Sequence, residues 1–259
     1  MILGVSYNIF DGEEVLEGSI KQIRDQVDFI SVVYQTKSNF GNTADSNLVP
    51  LLENLKSRGL IDKLYLYEPN TIDGFNNEVA KRNIGLDLSR KANCTHHMSM
   101  DSDEYYIPEE FMYMKQRVEE KDADAAYCKM QTYYKTWDYA LDPPEEYYVA
   151  TIYKIKENAK FVFQYPCTVL VDPTRRMSKV NNPLVFTREN VQMHHGSYIR
   201  NSVRSKLENS SSKGAFEKDI ERIVKYYDTW EYPNKVLWGS FPTKELTVVK
   251  VKNLFDETK

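Results

Sequence analysis

His96-His97-Met98-Ser99-Met100-Asp101-Ser102-Asp103-Glu104-Tyr105-Tyr106 is the stretch on which the fold of this chain turns. A run of small and apolar residues with the composition of a buried strand ends abruptly in Asp101, Asp103 and Glu104. Carboxylates crowded this closely repel one another, and a bound divalent cation is the usual relief. In an extended chain Asp101 and Asp103 point the same way, so two hard oxygen ligands reach one ion. Glu104 then points to the opposite face, as a supporting or acceptor-side residue. Oxygen ligands with no thiolate nearby favour Mn²⁺ or Mg²⁺ over zinc. His96 and His97 face opposite sides of such a strand, so at most one looks toward the acids, and both read as ordinary core or edge histidines.

Upstream, Ile2 to Tyr7 reads as a buried strand. Val15, Leu16, Ile20, Ile23 and Val27 follow at helical spacing, and Phe29 to Tyr34 is a second apolar run. Strand, helix and strand make a right-handed βαβ unit with a parallel sheet. Leu48 to Lys56 predicts a further helix and Leu60 to Tyr67 a third strand. Ligands of open parallel sheets bind beyond the carboxyl ends of the strands, which brings Tyr7-Asn8 and Tyr34-Gln35 toward the acids. Glu78 to Lys91 predicts the helix that feeds the acid-bearing strand. Lys81-Arg82-Asn83 is placed near its first turn, where backbone N–H groups favour an anion.

The order strand, helix, strand, then Lys81-Arg82-Asn83-x-Gly85 and Met98-Ser99-Met100-Asp101-Ser102-Asp103, resembles the nucleotide-sugar glycosyltransferases of the GT-A fold, close to the family 2 type. The resemblance covers residues 1 to about 110 and extends more thinly to about 210. It implies an α/β fold: a single GT-A-type, Rossmann-like domain with a mixed, mainly parallel central sheet flanked by helices, plus a C-terminal extension. Residues 1–210 would form the domain, with 1–110 the nucleotide-binding half and 111–210 the acceptor half, and 211–259 a helical and aromatic extension packed on it. The resemblance further implies a metal-dependent, inverting enzyme in which a sugar moves from a nucleotide-diphosphate donor, a UDP-sugar favoured, to an acceptor hydroxyl. Asp101 and Asp103, the DXD motif, would hold Mn²⁺ or Mg²⁺ against the diphosphate. Tyr7, Asn8, Arg82, Asn83 and Ser102 would line the nucleotide and diphosphate. One departure stands out: the acidic turn usual after the second strand is here Tyr34-Gln35-Thr36-Lys37, so uracil contacts do not carry over to it.

Further along, Met193-His194-His195-Gly196-Ser197-Tyr198 precedes Arg200, Arg204 and Lys206. A His beyond the sheet completes the metal shell in many GT-A enzymes, which His194 or His195 resembles, and Arg200 and Arg204 would cover the diphosphate. Ser210 to Gly214 reads as a loop able to exclude water. Gln131 to Tyr139 is unusually aromatic for a connection and suits the apolar faces of a sugar. An acceptor hydroxyl must lose its proton in an inverting transfer, so a carboxylate acts as base. Asp138, Asp142, Glu145, Glu146 and Asp172 are candidates, and its aromatic surroundings favour Asp138. Lys160–Phe163 and Thr168–Val171 read as strands, and Phe216 to Tyr227 as an amphipathic helix. Trp230, Tyr232, Trp238 and Phe241 clamp the tail, which ends in a strand-like Leu246–Val251.

Composition bounds the alternatives. A chain of 259 residues with 13 % aromatics and 28 % charged residues is globular in character. A net charge of −4 excludes a surface that is basic all over. Modified DNA bases of a viral genome as acceptor would therefore need a local patch, for which Arg175-Arg176 and Arg200 to Lys206 are the clusters. A nucleotidyltransferase or a sugar-nucleotide-binding module is the rival from another class. The turn after the first strand, Asn8-Ile9-Phe10-Asp11-Gly12, has one glycine where nucleotidyltransferases carry a Gly-rich loop. Three widely spaced Cys argue for reduced thiols in a cytoplasmic protein, and the short apolar Met1–Val5 for a first strand rather than a signal peptide or transmembrane segment.

Overall fold

The computed structural model describes residues 1–69, 73–239 and 243–255. Phe241, counted above among the tail aromatics, lies outside the described residues. The first half runs β1 (Leu3–Ile9), α1 (Glu13–Ile23), β2 (Phe29–Tyr34), α2 (Leu48–Ser57), β3 (Lys63–Leu66), α3 (Gly74–Lys91), β4 (His96–Asp101), β5 (Glu104–Tyr105) and α4 (Pro108–Glu120). The second runs β6 (Ala125–Tyr134), β7 (Thr136–Asp142), β8 (Tyr148–Lys154), β9 (Pro183–Val185), β10 (Gln192–Tyr198), α5 (Val203–Asn209), α6 (Ile220–Asp228), β11 (Val236–Trp238) and β12 (Lys244–Lys250).

Parity along β1 sets the layers. Every residue of the strand is buried, and Leu3, Val5, Tyr7 and Ile9 alternate with Gly4, Ser6 and Asn8. Successive side chains of a strand point to opposite faces. The large set joins the principal core with Leu16 and Ile20 of α1, Leu52 of α2 and Phe111 of α4. The small set lies under α3, and there the approach is tight. A Cβ on Gly85 would stand 2.2 Å from Ser6 Oγ, and one on Gly4 2.4 Å from Ser89 Oγ. Small residues on both surfaces let α3 sit close to the sheet, which is what brings Arg82 onto the end of β4.

Strands β4, β1, β2 and β3 are neighbours and parallel. Beyond β4 the order continues β8, β6, β7, β12 and β11 with antiparallel pairing. The long β6 also takes β9 and β10 in parallel, and β5 pairs antiparallel with β10. This is the single α/β domain with a mixed, helix-flanked sheet that the sequence leads one to expect, with its balance corrected: antiparallel pairings outnumber parallel ones. Two of the antiparallel pairs, β6 with β7 and β11 with β12, join consecutive strands through short links, which only antiparallel neighbours allow. The β6–β7 turn passes through Lys135 at φ 64°.

Other local expectations shift as well. Gln131 to Tyr139 is this hairpin rather than a connection, and its rings pack inward: Tyr134 against Tyr198, Tyr227 and Trp230, and Trp137 against Tyr133 and Phe255. Lys160–Phe163 and Thr168–Val171 are loops carrying single bridges, Phe161 to Met177 and Tyr148 to Val171. Helix α3 starts at Gly74, where the Asp73 carboxylate accepts from the N–H groups of Phe75 and Asn76. Lys81 and Arg82 therefore sit in mid-helix, where the backbone N–H groups are already bonded and offer an anion nothing. The tail is built into the sheet: β12 pairs with β7, and Val248 enters a second core with Ile223 and Trp238. Among the described residues no helix is long and apolar enough to cross a membrane.

Candidate active site

Strands β1 and β4 run parallel with Asn8 opposite Asp101, so both residues come to the carboxyl end of the sheet together. A cleft of about 580 Å³ opens there. Asn8, Asp101, Ser102 and Asp103 form its floor. Phe75, Glu78, Lys81 and Arg82 of α3 make one wall, Tyr147 and the Asp172–Thr174 turn another. The third wall is the segment from Arg200 through Ser212, with Lys206 reaching in from α5. Ser211 Oγ donates to Glu78 Oε1 at 3.4 Å and Asn42 Nδ2 to Asn209 Oδ1 at 2.9 Å, so this segment straps across the cleft mouth.

Charge in the floor is neutralised pair by pair. Arg82 donates through Nη1 to Ser99 Oγ at 2.7 Å and through Nη2 to both Asp101 oxygens at 3.3 and 3.4 Å. Arg175 reaches Asp101 Oδ2 from the other side at 2.6 Å and grips both oxygens of Glu104. Asp103 Oδ2 accepts from Arg200 Nη2 and from Lys206 Nζ, the latter at 2.9 Å, with His195 Nε2 3.6 Å away. Burial pushes the carboxyl of Asp101 up, but Arg82 and Arg175 outweigh it and hold the group below the usual carboxylate range. Burial is likewise outweighed at Asp103, by Lys206 and Arg200. At Glu104 burial wins over Arg175, aided by repulsion from Asp101, and the carboxyl is raised.

Several residues that line the cleft carry buried polar atoms without partners. Both polar atoms of the Asn8 amide are unpartnered, as are Nε and Nη1 of Arg200 and Nδ1 of His195. A buried amide without a hydrogen bond costs about 1–3 kcal/mol, so such groups mark where a polar ligand would be received. Arg200 owes its place to Gly12, which has φ 82° and no side chain. A Cβ there would lie 1.6 Å from Arg200 Nη1. Gly12→Ala is therefore expected to push the guanidinium off Asp103 and to strain the backbone, lowering stability by about 1–3 kcal/mol. Chemical denaturation measures this, and an unchanged midpoint would show that Arg200 has another place to go.

No family model matches the chain, and no curated protein does. Among solved structures, residues 1–349 of S. aureus TarS align at 14 % identity over 88 % of this chain and 73 % of that one, with a TM-score of 0.47. S. aureus TarS itself gives 15 %, 85 % and 42 %, with 0.46, and the 1–349 complex with UDP-GlcNAc 14 %, 85 % and 70 %, with 0.44. Likenesses this distant leave the function to be read from the cleft itself.

Of the residues picked from the sequence, the cleft collects Asn8, Arg82, Asp101, Ser102, Asp103, His195 and Arg200. Parity separates the rest. Tyr7 precedes Asn8 and so faces the opposite side, where its hydroxyl meets Ser19 Oγ at 3.1 Å in the core. His194 faces away from His195, with Nδ1 2.7 Å from Tyr133 OH, and burial lowers its pKa to about 4. His97 is buried against Ser89 with its pKa pushed down to about 3 by burial. Asn83 holds the loop at Phe161 through two backbone bonds. Arg204 pairs outward with Glu221. Asp138 lies on β7 and accepts from Thr136 Oγ1 and, through its carbonyl, from Val251 N, away from the cleft lining. Of the candidate bases, Asp172 is the one that lines the cleft.

The basic clusters do not make a surface patch for DNA. Arg175 is buried on acids, Arg176 donates to the carbonyls of Tyr165 and Val171, and Arg200 and Lys206 are turned onto Asp103. Lys81 and Arg175 were read from the sequence as an anion-facing helix cation and as part of a DNA-facing cluster, and the ties they make in the structure were not legible there. Arg175 gave no signal beyond a cation after a proline turn, and Lys81 is tied to Gln35 Oε1 at 2.6 Å by a contact between distant segments.

The donor set is short for a divalent ion. Among the described residues no group of three or more His, Cys, Asp or Glu stands where it could hold a metal ion. Both Asp101 oxygens and Asp103 Oδ2 are engaged by guanidinium and ammonium groups instead. In this arrangement the residues do not fit a resident Mn²⁺ or Mg²⁺.

Proposed function

We propose that this cleft binds a nucleotide-diphosphate sugar and transfers the sugar to an acceptor hydroxyl, with inversion. The observation that carries the reading is the buried, doubly unpartnered Asn8 amide at the carboxyl end of the parallel strands, beside a floor of paired Arg, Lys and Asp side chains. A neutral amide of this kind takes a nucleoside edge, donor and acceptor at once. Lys81, Arg82, Arg200 and Lys206 lie within the same cleft for the diphosphate. Negative charge grows on the leaving diphosphate as the sugar bond breaks, and fixed cations stabilise it more in the transition state than before it.

Asp172 takes the role of base. Its Oδ1 is occupied by Thr174 N and Thr174 Oγ1, both at 2.7 Å, which fixes the carboxylate on the wall beside Tyr147. As the acceptor oxygen bonds to the anomeric carbon, its proton passes to Asp172 and the sugar–phosphate electrons leave with the nucleotide diphosphate. The strap over the cleft limits water as a competing acceptor. No step is routed through a metal.

A thermal-shift screen of nucleotide sugars tests the reading. A donor at about 100 times its Kd is expected to stabilise the chain by about 2.7 kcal/mol. Mn²⁺ alone is expected to leave Tm unchanged, because the carboxylates it would need are already engaged. A chain that no nucleotide sugar stabilises would refute the proposal.

A further inference from the structure

We propose that Arg175 is a positioning residue that holds the acceptor-side carboxylate of Asp172 in register with the donor-side floor at Asp101. The inference rests on the transferase reading of the cleft and assigns a task to a side chain that the reading itself leaves idle.

Arg175 ends the three-residue turn Pro173–Arg175 that Asp172 caps. From this turn two routes lead back to Asp101. One passes from Asp172 Oδ1 to Thr174 Oγ1, which in turn accepts from Arg82 Nε at 3.4 Å, and then through Arg82 Nη2 to Asp101. The other is direct, Arg175 Nη2 to Asp101 Oδ2 at 2.6 Å. Together they close a ring of polar contacts around the back of the cleft. The Arg175 route is the stronger one, since 3.4 Å is long for a hydrogen bond and 2.6 Å is the length of a charge-assisted one.

The rest of the structure immobilises that guanidinium. Glu104 of β5 accepts from both of its terminal nitrogens, and Tyr153 OH donates to the Arg175 carbonyl at 2.7 Å. Arg175 and Glu104 are each at most 5 % exposed. A buried guanidinium and carboxylate pair gains little stability over an apolar substitute, so fixing geometry is the better explanation for it here. Lysine cannot replace it, because one ammonium cannot span Asp101 and both Glu104 oxygens in the planar fork. A misplacement of the base by about 1 Å costs on the order of 100-fold in rate.

The test uses the full chain with Arg175→Lys and Arg175→Ala. UDP serves as the binding probe, and the nucleotide sugar that stabilises the unaltered chain serves as substrate, its sugar released to water in the absence of a known acceptor. Arg175→Lys is expected to lower kcat on the order of 100-fold while KM and UDP affinity stay within about twofold, a shift of about 0.4 kcal/mol. Added guanidinium ion is expected to restore part of kcat in Arg175→Ala and none in Asp172→Asn. If kcat per folded molecule is unchanged in Arg175→Lys, or if only KM and UDP affinity suffer, the positioning role is wrong. If the unaltered chain releases no sugar from any donor, the transferase reading fails first, which is a separate result.

Discussion

Asp172→Asn is expected to lower kcat by about 10²–10⁴-fold, the usual contribution of a positioned base. The substitution isolates chemistry from structure. Asparagine keeps an oxygen for Thr174 N and Thr174 Oγ1, so the cap of the Pro173–Arg175 turn survives and the fold with it. Alanine at the same place would also remove the cap, at about 1 kcal/mol. Donor affinity, which rests on Asn8 and the cations of the cleft, is expected to hold. The measurement is turnover of the stabilising nucleotide sugar with Tm as the control. Full activity in Asp172→Asn would remove this residue from the mechanism and return the search to the lining carboxylates outside the ion-paired floor, Asp11 and Glu78.

Asp103→Asn is expected to act on stability as much as on turnover. Asp103 is 3 % exposed, and one of its oxygens gathers Arg200 from the end of β10, Lys206 from α5 and the edge of His195. Its backbone carbonyl also accepts from Gly196 N at 2.8 Å, but that bond survives the change of side chain. Neutralising the carboxylate leaves the buried Arg200 without its counter-charge, an error that costs about 3–5 kcal/mol. Lys206 is better hydrated, with its side chain 23 % exposed, and adds little to that figure. For a chain of this size the loss corresponds to a fall in Tm on the order of 10 °C. The strap from Arg200 to Ser212 loses its main anchor, so turnover falls too. Pairing Asp103→Asn with Arg200→Met is expected to recover much of the stability, because the stranded charge has gone. A single variant that melts with the unaltered chain would mean that the ion cluster contributes nothing to the fold.

The same cluster explains how far the sequence could be read. Elements with strong local signals were legible: β1, β2 and β4 as apolar runs, and α1 from the spacing of Val15, Leu16, Ile20 and Ile23. The second half was less so, because β7 and β9 are assigned by their neighbours. Val185 is exposed and Pro183 interrupts the run, so β9 exists through its pairing with β6 rather than through its own pattern. The aromatic stretch from Gln131 misleads for a related reason. Rings in a row suit a ligand or a core equally, and the choice depends on Trp230 and Phe255, far off in sequence.

The family resemblance brought Arg82 and Arg200 to the acids; by itself the sequence determined that the chain is α/β, that β4 ends in acids at the carboxyl edge of a parallel group, and that Asn8 comes near them. Local periodicity and the direction of parallel strands are enough for that, since they depend on neighbours within a few residues. Only the tertiary structure decided which side chains meet. Tyr7 and Asn8, or His194 and His195, are interchangeable in a list and opposite in a strand. Cations from three distant segments close on Asp101 and Asp103, where the sequence alone called for a metal. Ion pairing between residues 74 to 103 positions apart follows from where the backbone brings them, and no spacing within the sequence encodes it.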